Sequence, residues 1–241
     1  MAMQQAIRSV SNLTRSRVNV ENGKPDTHMC QYGVVTVVRP HRGVSADERR
    51  ARRHAQLVTA CLELVGEGGV GSVSAESVAA RAGLTKRYFY ESFADRDTLL
   101  DELLASFFTD VRATMLDAMP VTGDASARAQ VMAEVLIDFL WNDPKRARLY
   151  AEAPGNPRLE ARREQAYEVF TQLVIDAFPS GEPLSEEARQ RRTLAALLLV
   201  AGTTQAVITW LRGRIELTRE AVTDELARII VATLDPTLRI S

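Results

Sequence analysis

Between Val73 and Phe93 the chain carries two helix-forming stretches on either side of Ala82-Gly83-Leu84. Each runs for only about eight residues, too few to hold helical structure in water, so this region folds only by packing on its neighbours. Ser74 is placed to cap the first stretch, with Glu76 in its opening turn where a carboxylate meets the helix dipole favourably. Val78, Ala79 and Ala82 form its apolar face, Gly83 ends it and Leu84 plugs the turn. Thr85 caps the second stretch, which runs through Lys86-Arg87-Tyr88-Phe89-Tyr90 to Phe93. Short helix, glycine turn, short helix is the helix-turn-helix arrangement. The partner it needs lies just upstream. Ser45 caps a helix with Asp47 and Glu48 in its first turn, Leu57, Cys61, Leu64 and Val65 on one face, and Val58 and Leu62 beside them. That helix stops at Gly66-Glu67-Gly68-Gly69.

The formal net charge is −1, so the whole-chain balance does not announce a nucleic-acid partner and the placement of cations must be read instead. Thr85, Lys86, Arg87 and Tyr88 bring long donor-bearing side chains to the N-terminal end of the third helix, the end that enters a major groove in helix-turn-helix proteins. Tyr90 can offer a hydroxyl to phosphate, while Phe89 and Phe93, four residues apart, face the core. Arg49, Arg50, Arg52 and Arg53 open the first helix with phosphate-neutralising charge, and Arg96 supplies a further anchor after the third. Singly, a surface Arg is ordinarily solvated and a Tyr ordinarily packs. The combination at these offsets carries the reading.

Those residues resemble the DNA-binding signature of the TetR family of bacterial regulators. In that family a Thr or Ser precedes an Ile/Val-Ala pair, followed by Ala-Gly-Val/Leu-Ser/Thr, a Tyr-x-x-Phe, a basic residue and Leu-Leu. Ser74, Val78-Ala79, Ala82-Gly83-Leu84-Thr85, Tyr90, Phe93, Arg96 and Leu99-Leu100 fall on these positions. Many members carry Gly or Pro-Thr near Arg87-Tyr88 and a His at Ser92. The Lys86-Arg87-Tyr88 run therefore implies an operator of its own, to which base contacts do not transfer. The resemblance implies an all-α protein: an N-terminal three-helix helix-turn-helix domain, then a larger helical ligand-binding and dimerisation domain. It also implies a homodimer on a palindromic double-stranded DNA operator, with repression relieved by a small molecule. The residues expected at DNA are Ser74, Thr85, Lys86, Arg87, Tyr88, Tyr90, Arg96, Arg49, Arg50 and Arg53.

On this reading residues 45–105 form the DNA-binding domain and 106–241 the second domain. Leu99, Leu103, Phe107 and Val111 stripe a fourth helix shared between the two, so a ligand that tilts it would change the spacing of the recognition helices. Asp143-Pro144 marks a helix break with Pro at a first helical position, and Pro154, Gly155, Pro157, Pro179, Gly181 and Pro183 punctuate the chain beyond it. A long helix from Ser185 carries Leu194, Leu197, Leu198, Ala201 and Leu211, with Gly202, Thr203 and Thr204 small enough for close helix approach. Its stretch from Thr193 to Leu211 is expected to be a buried helix and a poor membrane span, being broken by Gly202-Thr203-Thr204-Gln205. The last helix spans Arg219 to Leu234 with Val222, Leu226, Ile229, Ile230 and Thr233 on a broad apolar face. By resemblance these two helices build the dimer interface as a four-helix bundle. The candidate pocket residues are Phe107, Met115, Phe139, Trp141, Tyr150, Tyr167, Phe170 and Trp210, although core packing is the ordinary role of each. Their mix implies a hydrophobic or amphipathic effector.

Residues 1–43 read as a disordered extension: Val34, Val35, Val37 and Val38 make one β-like run with no second strand to pair with. The alternative is a basic arm through Arg8, Arg15, Arg17, Arg39 and Arg42. Cys30 and Cys61 give neither a disulfide framework nor metal-ligand spacing, in keeping with a reducing, cytoplasmic and nucleoid-associated setting. His28, His41 and His54 have no nucleophile or ligand partner at workable spacing, and Gly66-Glu67-Gly68-Gly69 follows a helix rather than a strand, so no phosphate loop is expected. Neither enzyme activity nor a metal or cofactor is anticipated. The rival reading is a helix-turn-helix factor without small-molecule input, acting architecturally or through a protein partner. Its mark would be a second domain lacking a cavity of roughly 300–1,000 Å³.

Overall fold

A computed structural model of the chain describes residues 45–120, 124–180 and 183–234. The expectations for the N-terminal extension and its valine run, for Cys30, and for His28 and His41 lie outside these residues. Among the described residues there are nine α-helices and no strand. The first four are α1 (Ala46–Gly68), α2 (Ala75–Arg81), α3 (Lys86–Ser92) and α4 (Arg96–Ala118). They are followed by α5 (Ala125–Asn142), α6 (Pro144–Glu152), α7 (Pro157–Ala177), α8 (Glu186–Leu211) and α9 (Arg219–Leu234). The protein is all-α, as expected.

The ends of these helices follow from local chemistry. Ser45 and Glu48 form a reciprocal capping box at α1: the Glu48 amide donates to Ser45 Oγ at 3.0 Å, and the Ser45 amide donates to Glu48 Oε2 at 2.7 Å. The helix runs through Gly66, Glu67 and Gly68 and ends at Gly69, whose φ of +77° only glycine adopts without strain. At α2 the capping box pairs Ser74 with Ser77. Gly83 at φ +67° then turns the chain, and Leu84 donates its amide to the Ala79 carbonyl. Thr85 occupies the N-cap of α3, but its side chain makes no capping hydrogen bond, contrary to the expected role. Its backbone meets the cap geometry while the hydroxyl stays outside. Asp143 and Asn156 cap α6 and α7, each with Pro in the first turn.

One buried apolar cluster runs through the whole body. In its N-terminal part Leu57, Cys61, Val65, Val78, Phe89, Phe93, Leu99 and Leu100 are buried together, so α1 supplies the surface that the two short helices need. Burial pushes the Cys61 thiol up to about 12, which leaves it an unreactive core residue. Further along, α9 packs along α5, α7 along α8, and α4 along α7, while α6 packs on α1.

The α8 helix departs from expectation. By length and composition alone it is apolar enough to cross a membrane, and only 33% of its most apolar window is buried. Ala196, Leu199, Val207, Ile208 and Trp210 face the core, but Leu194, Leu197 and Leu198 are 57%, 41% and 64% exposed. The helix is apolar on both sides, yet among the described residues only one side has a partner: α6, α7 and α9 pack on it, and the leucine face opposite is bare.

Candidate nucleic-acid interface and effector cavity

Helix α3 is anchored from below by Phe89 and Phe93, which leaves Thr85, Lys86, Arg87 and Tyr90 exposed on its outer side. Arg87 is the most open of the cations on this helix, paired along it with Glu91 at 2.9 Å. Lys86 is ion-paired with Glu76 of α2. That pair holds the Glu76 carboxyl below its ordinary range and the lysine above its own. The Arg53 guanidinium lies 4.6 Å from the centre of the Tyr88 ring, so α1 braces α3 through a cation–π contact. Arg49 and Arg50 are exposed at the start of α1. Thr85, Lys86, Arg87, Tyr90 and the α1 arginines thus share the N-terminal part of the molecule as a donor-rich surface.

Two of the expected DNA residues have structural occupations. Ser74 is bound up in the α2 capping box, accepting from the Ser77 amide at 3.0 Å. Arg96 donates to the Val73 carbonyl at 3.1 Å and pairs with Asp97, pinning the start of α4 to the chain entering α2. On the far side of α2, Arg81 reaches Glu67 at 2.8 and 2.6 Å and Glu63 at 3.3 Å, fixing α2 to α1.

The second site is internal. Six helices, α4 to α9, line an apolar cavity of about 80 Å³. Of the eight expected pocket residues, Phe107, Met115, Tyr150, Tyr167 and Phe170 line it. Phe139 stands behind Phe107 in an edge-to-face contact at 6.4 Å. Trp141 and Trp210 stack on each other at 6.0 Å, away from the cavity, with Trp141 47% exposed. The lining that sequence reasoning missed includes Phe108, Met132, Leu136, Thr203 and Thr204. Phe108 was detectable as the neighbour of Phe107 on the inner side of α4. The others carry no mark that separates a void from ordinary core.

A few polar side chains interrupt the apolar lining. Tyr150 is fully buried, its hydroxyl is paired with Thr204, and burial pushes it up to about 12. Tyr167 accepts a hydrogen bond from Arg163 Nη2 at 2.8 Å, and Arg163 in turn reaches Glu160 at 3.0 Å. The Arg163 side chain is only 5% exposed, and its Nε has no partner among the described residues.

Polar joints tie the cavity walls to the end of α1 and to α4. On α6, Glu152 accepts from the Val70 amide at 2.8 Å and from Arg148 at 2.7 Å, while Arg148 donates to the carbonyls of Gly66 and Glu67 at 3.1 Å. A Cβ at Gly69 would run into the Glu152 carboxylate, so glycine is required there by space as well as by φ. In the chain, Arg148 and Glu152 stand on either side of Tyr150, which lines the cavity. On α7, Arg162 makes a two-pronged bridge to Asp101 of α4 at 2.7 Å for each bond. Arg158 reaches Asp95 at 3.0 Å and Thr98 at 2.6 Å, and Asn156 reaches Asp97 at 2.9 Å. Helix α4 thus packs on both α1 and α7, and α6 adds a direct link to the end of α1 that no sequence pattern announced.

Residues 57–103 match the family described as bacterial regulatory proteins, tetR family. The HTH-type transcriptional activator FasR of Mycolicibacterium smegmatis is 26% identical over 166 residues, 68% of this chain and 74% of that protein. Among solved structures, a tetR-family transcriptional regulator from Streptomyces coelicolor superposes with a TM-score of 0.62 at 17% identity, over 76% of this chain and 80% of that one. The fatty acid degradation regulator FadR of Bacillus halodurans gives 0.61 at 15% identity, covering 76% and 96%. FadR of Bacillus subtilis, solved in complex with stearoyl-CoA, gives 0.60 at 17% identity, covering 75% and 98%. At these identities the structural matches speak for the fold. The helix-turn-helix of residues 74–93 lies inside the matched residues 57–103, so this part of the chain is similar to the DNA-binding region of the TetR family of transcriptional regulators, and the solved structures show that its helices share their fold.

Proposed function

We propose that the protein is a homodimeric repressor released from a palindromic operator by a ligand carrying a long acyl chain. The observation that carries this reading is the apolar cavity whose walls, α6 and α7, are hydrogen-bonded to the end of α1 and to α4. At about 80 Å³ the cavity is smaller than a drug-sized ligand needs, so an occupant has to part the helices around it. Parting α6 and α7 pulls on the joints at Val70 and Asp101, and thereby on the segments that carry α3. A coupling of about 1–3 kcal/mol would change DNA affinity several-fold to a hundredfold. The flexible lining by Met115 and Met132 suits such an opening. The ligand class is drawn from a relative of the same fold: FadR of B. subtilis was solved with stearoyl-CoA. The sign of the regulation is the family's usual one, although FasR is an activator.

The dimer would form through the bare leucine face of α8, with Ile229 of α9 beside it at 38% exposure. Gly202 has open space around its Cβ position, leaving room for a second copy to approach. The two α3 helices would then enter successive major grooves roughly 34–36 Å apart. Ser74 and Arg96 would act by holding α2 and α4 in place, and Thr85, Lys86, Arg87, Tyr88 and Tyr90 by contact. Arg49, Arg50 and Arg53 would stand near the phosphates.

Fluorescence anisotropy on DNA from the gene's own upstream region, with and without stearoyl-CoA, tests the reading. Saturable binding that the thioester weakens is the expected result. Binding that no acyl-CoA of any chain length alters would favour the second reading, a factor without small-molecule input, which the small cavity volume itself recommends.

A further inference from the structure

We infer that Tyr167, backed by Arg163, is the polar anchor of the cavity, donating its hydroxyl proton to the uncharged carbonyl oxygen of an acyl thioester whose chain fills the apolar space. This rests on the acyl-effector reading above.

The argument starts from what each polar group still lacks. Tyr150 is paired with Thr204, whose own hydroxyl donates to the Val200 carbonyl at 2.9 Å. Tyr167 differs. Its oxygen accepts from Arg163 at 2.8 Å, so its proton points elsewhere, and among the described residues it has no protein acceptor. Tyr167 itself lines the cavity. A phenol that accepts from a buried guanidinium is polarised into a stronger donor. A ligand oxygen in the cavity is the partner the proton lacks.

The charge balance selects which oxygen. Arg163 is buried, yet its positive charge is already met by Glu160 at 3.0 Å. A free carboxylate placed beside Tyr167 would bring a second negative charge to a pair that is already neutral, and no further cation stands among the cavity-lining residues to meet it. Burying that charge is costly, whereas a carbonyl oxygen asks only for a donor. A pure hydrocarbon or thioether would fill the void but leave Tyr167 unsatisfied.

Calorimetric titration of the full-length protein with three probes tests this: the N-acetylcysteamine thioester of palmitic acid, the matching hexadecyl thioether, and palmitate. The thioester should bind about tenfold tighter than the thioether, the worth of one charge-assisted hydrogen bond, and tighter than palmitate at neutral pH. Tyr167→Phe, which removes a single oxygen, should bring the thioester down to the thioether's affinity and leave the thioether unchanged. Arg163→Gln should lose a few-fold for the thioester alone, because a purely structural role would lower both. Equal binding of thioester and thioether to the wild type, a Tyr167→Phe variant that still discriminates, or palmitate binding tightest would each overturn the anchor. If the wild type binds none of the three, the acyl-effector reading falls and takes the anchor with it.

Discussion

Helices α1–α3 and helices α4–α9 carry their function-bearing groups in opposite places. The first three turn Lys86, Arg87 and Tyr90 outward over a small core of Leu57, Phe89 and Phe93. The later six turn Phe107, Phe108, Tyr150 and Tyr167 inward around a void and leave leucines bare outside. An outward site is built by one or two turns of one helix, so a substitution there removes a contact and little else. An inward site is built by six helices at once, so its occupant must move backbone. On the proposed function the one region would read DNA by contact while the other would sense a ligand by moving helices, and joints such as Glu152–Val70 would carry that movement between them.

The most severe way to break this comparison is to make the outside of the second region matter to the first. Leu194→Glu combined with Leu198→Glu places charges on the bare α8 face without touching the core. If that face joins two copies, sedimentation should show monomers, and operator affinity should fall by about 10²–10⁴ as two-site binding is lost. A variant that stays dimeric would move the interface elsewhere on the molecule.

Next in size is the loss of the outward site itself. The Lys86→Ala/Arg87→Ala double variant should lower operator affinity by about a hundredfold or more, since each specific base contact is worth about ten- to hundredfold. Its melting temperature should stay close to wild type, because neither residue packs in the core. Footprinting that remains unchanged would transfer base reading to Thr85, Tyr88 or another segment.

The two regions were also unequally legible in the sequence. Ser45, Ser74, Gly69 and Gly83 announce helix ends because capping and positive φ are decisions of three or four neighbouring residues. The bounds of α9 at Arg219 and Leu234 followed from apolar spacing in the same way. The cavity did not. Trp141 and Trp210 are as large and apolar as Phe107, yet they stack on each other away from the void, which depends on where five other helices stand. Thr85 taught a smaller lesson: it stands at the N-cap, but position alone did not commit its hydroxyl to the backbone. Nor did the apolarity of α8 reveal which side would be covered. The Arg148–Glu152 pair looks in sequence like any solvated pair four residues apart, and only the fold sets it against the end of α1.

That pair supplies a test of the connection. Glu152→Gln keeps the shape of the side chain and a weaker acceptor for Val70 while releasing its ionic hold on Arg148. Operator affinity without ligand should change little. The ligand-dependent change in affinity, measured by anisotropy across a titration of stearoyl-CoA, should shrink by up to about tenfold, within the usual range of coupling energies. Full retention of the response would place the whole transmission in α4 and its bridges from α7.

The smallest expected effect lies within the outward site. Glu76 is the carboxylate bonded to Lys86, and a phosphate or base approaching that lysine has to displace it. The exchange is inexpensive because the pair is exposed to water. Acid does not free the lysine at ordinary working pH. Lys86 depresses the Glu76 carboxyl below its usual range, so the pair is fully formed above that range and is lost only as pH falls through the lowered value. Substitution achieves what mild acid cannot: Glu76→Gln removes both the competitor and a negative charge beside the DNA. Operator affinity should rise a few-fold, and the dependence of log affinity on log salt should steepen by up to about 0.9 for each phosphate newly neutralised. An unchanged affinity with an unchanged salt slope would mean that Lys86 already leaves Glu76 at no cost, or that it does not reach DNA. The Arg87→Ala single variant separates these outcomes, because in the second case Arg87 alone would carry the whole loss seen in the double variant.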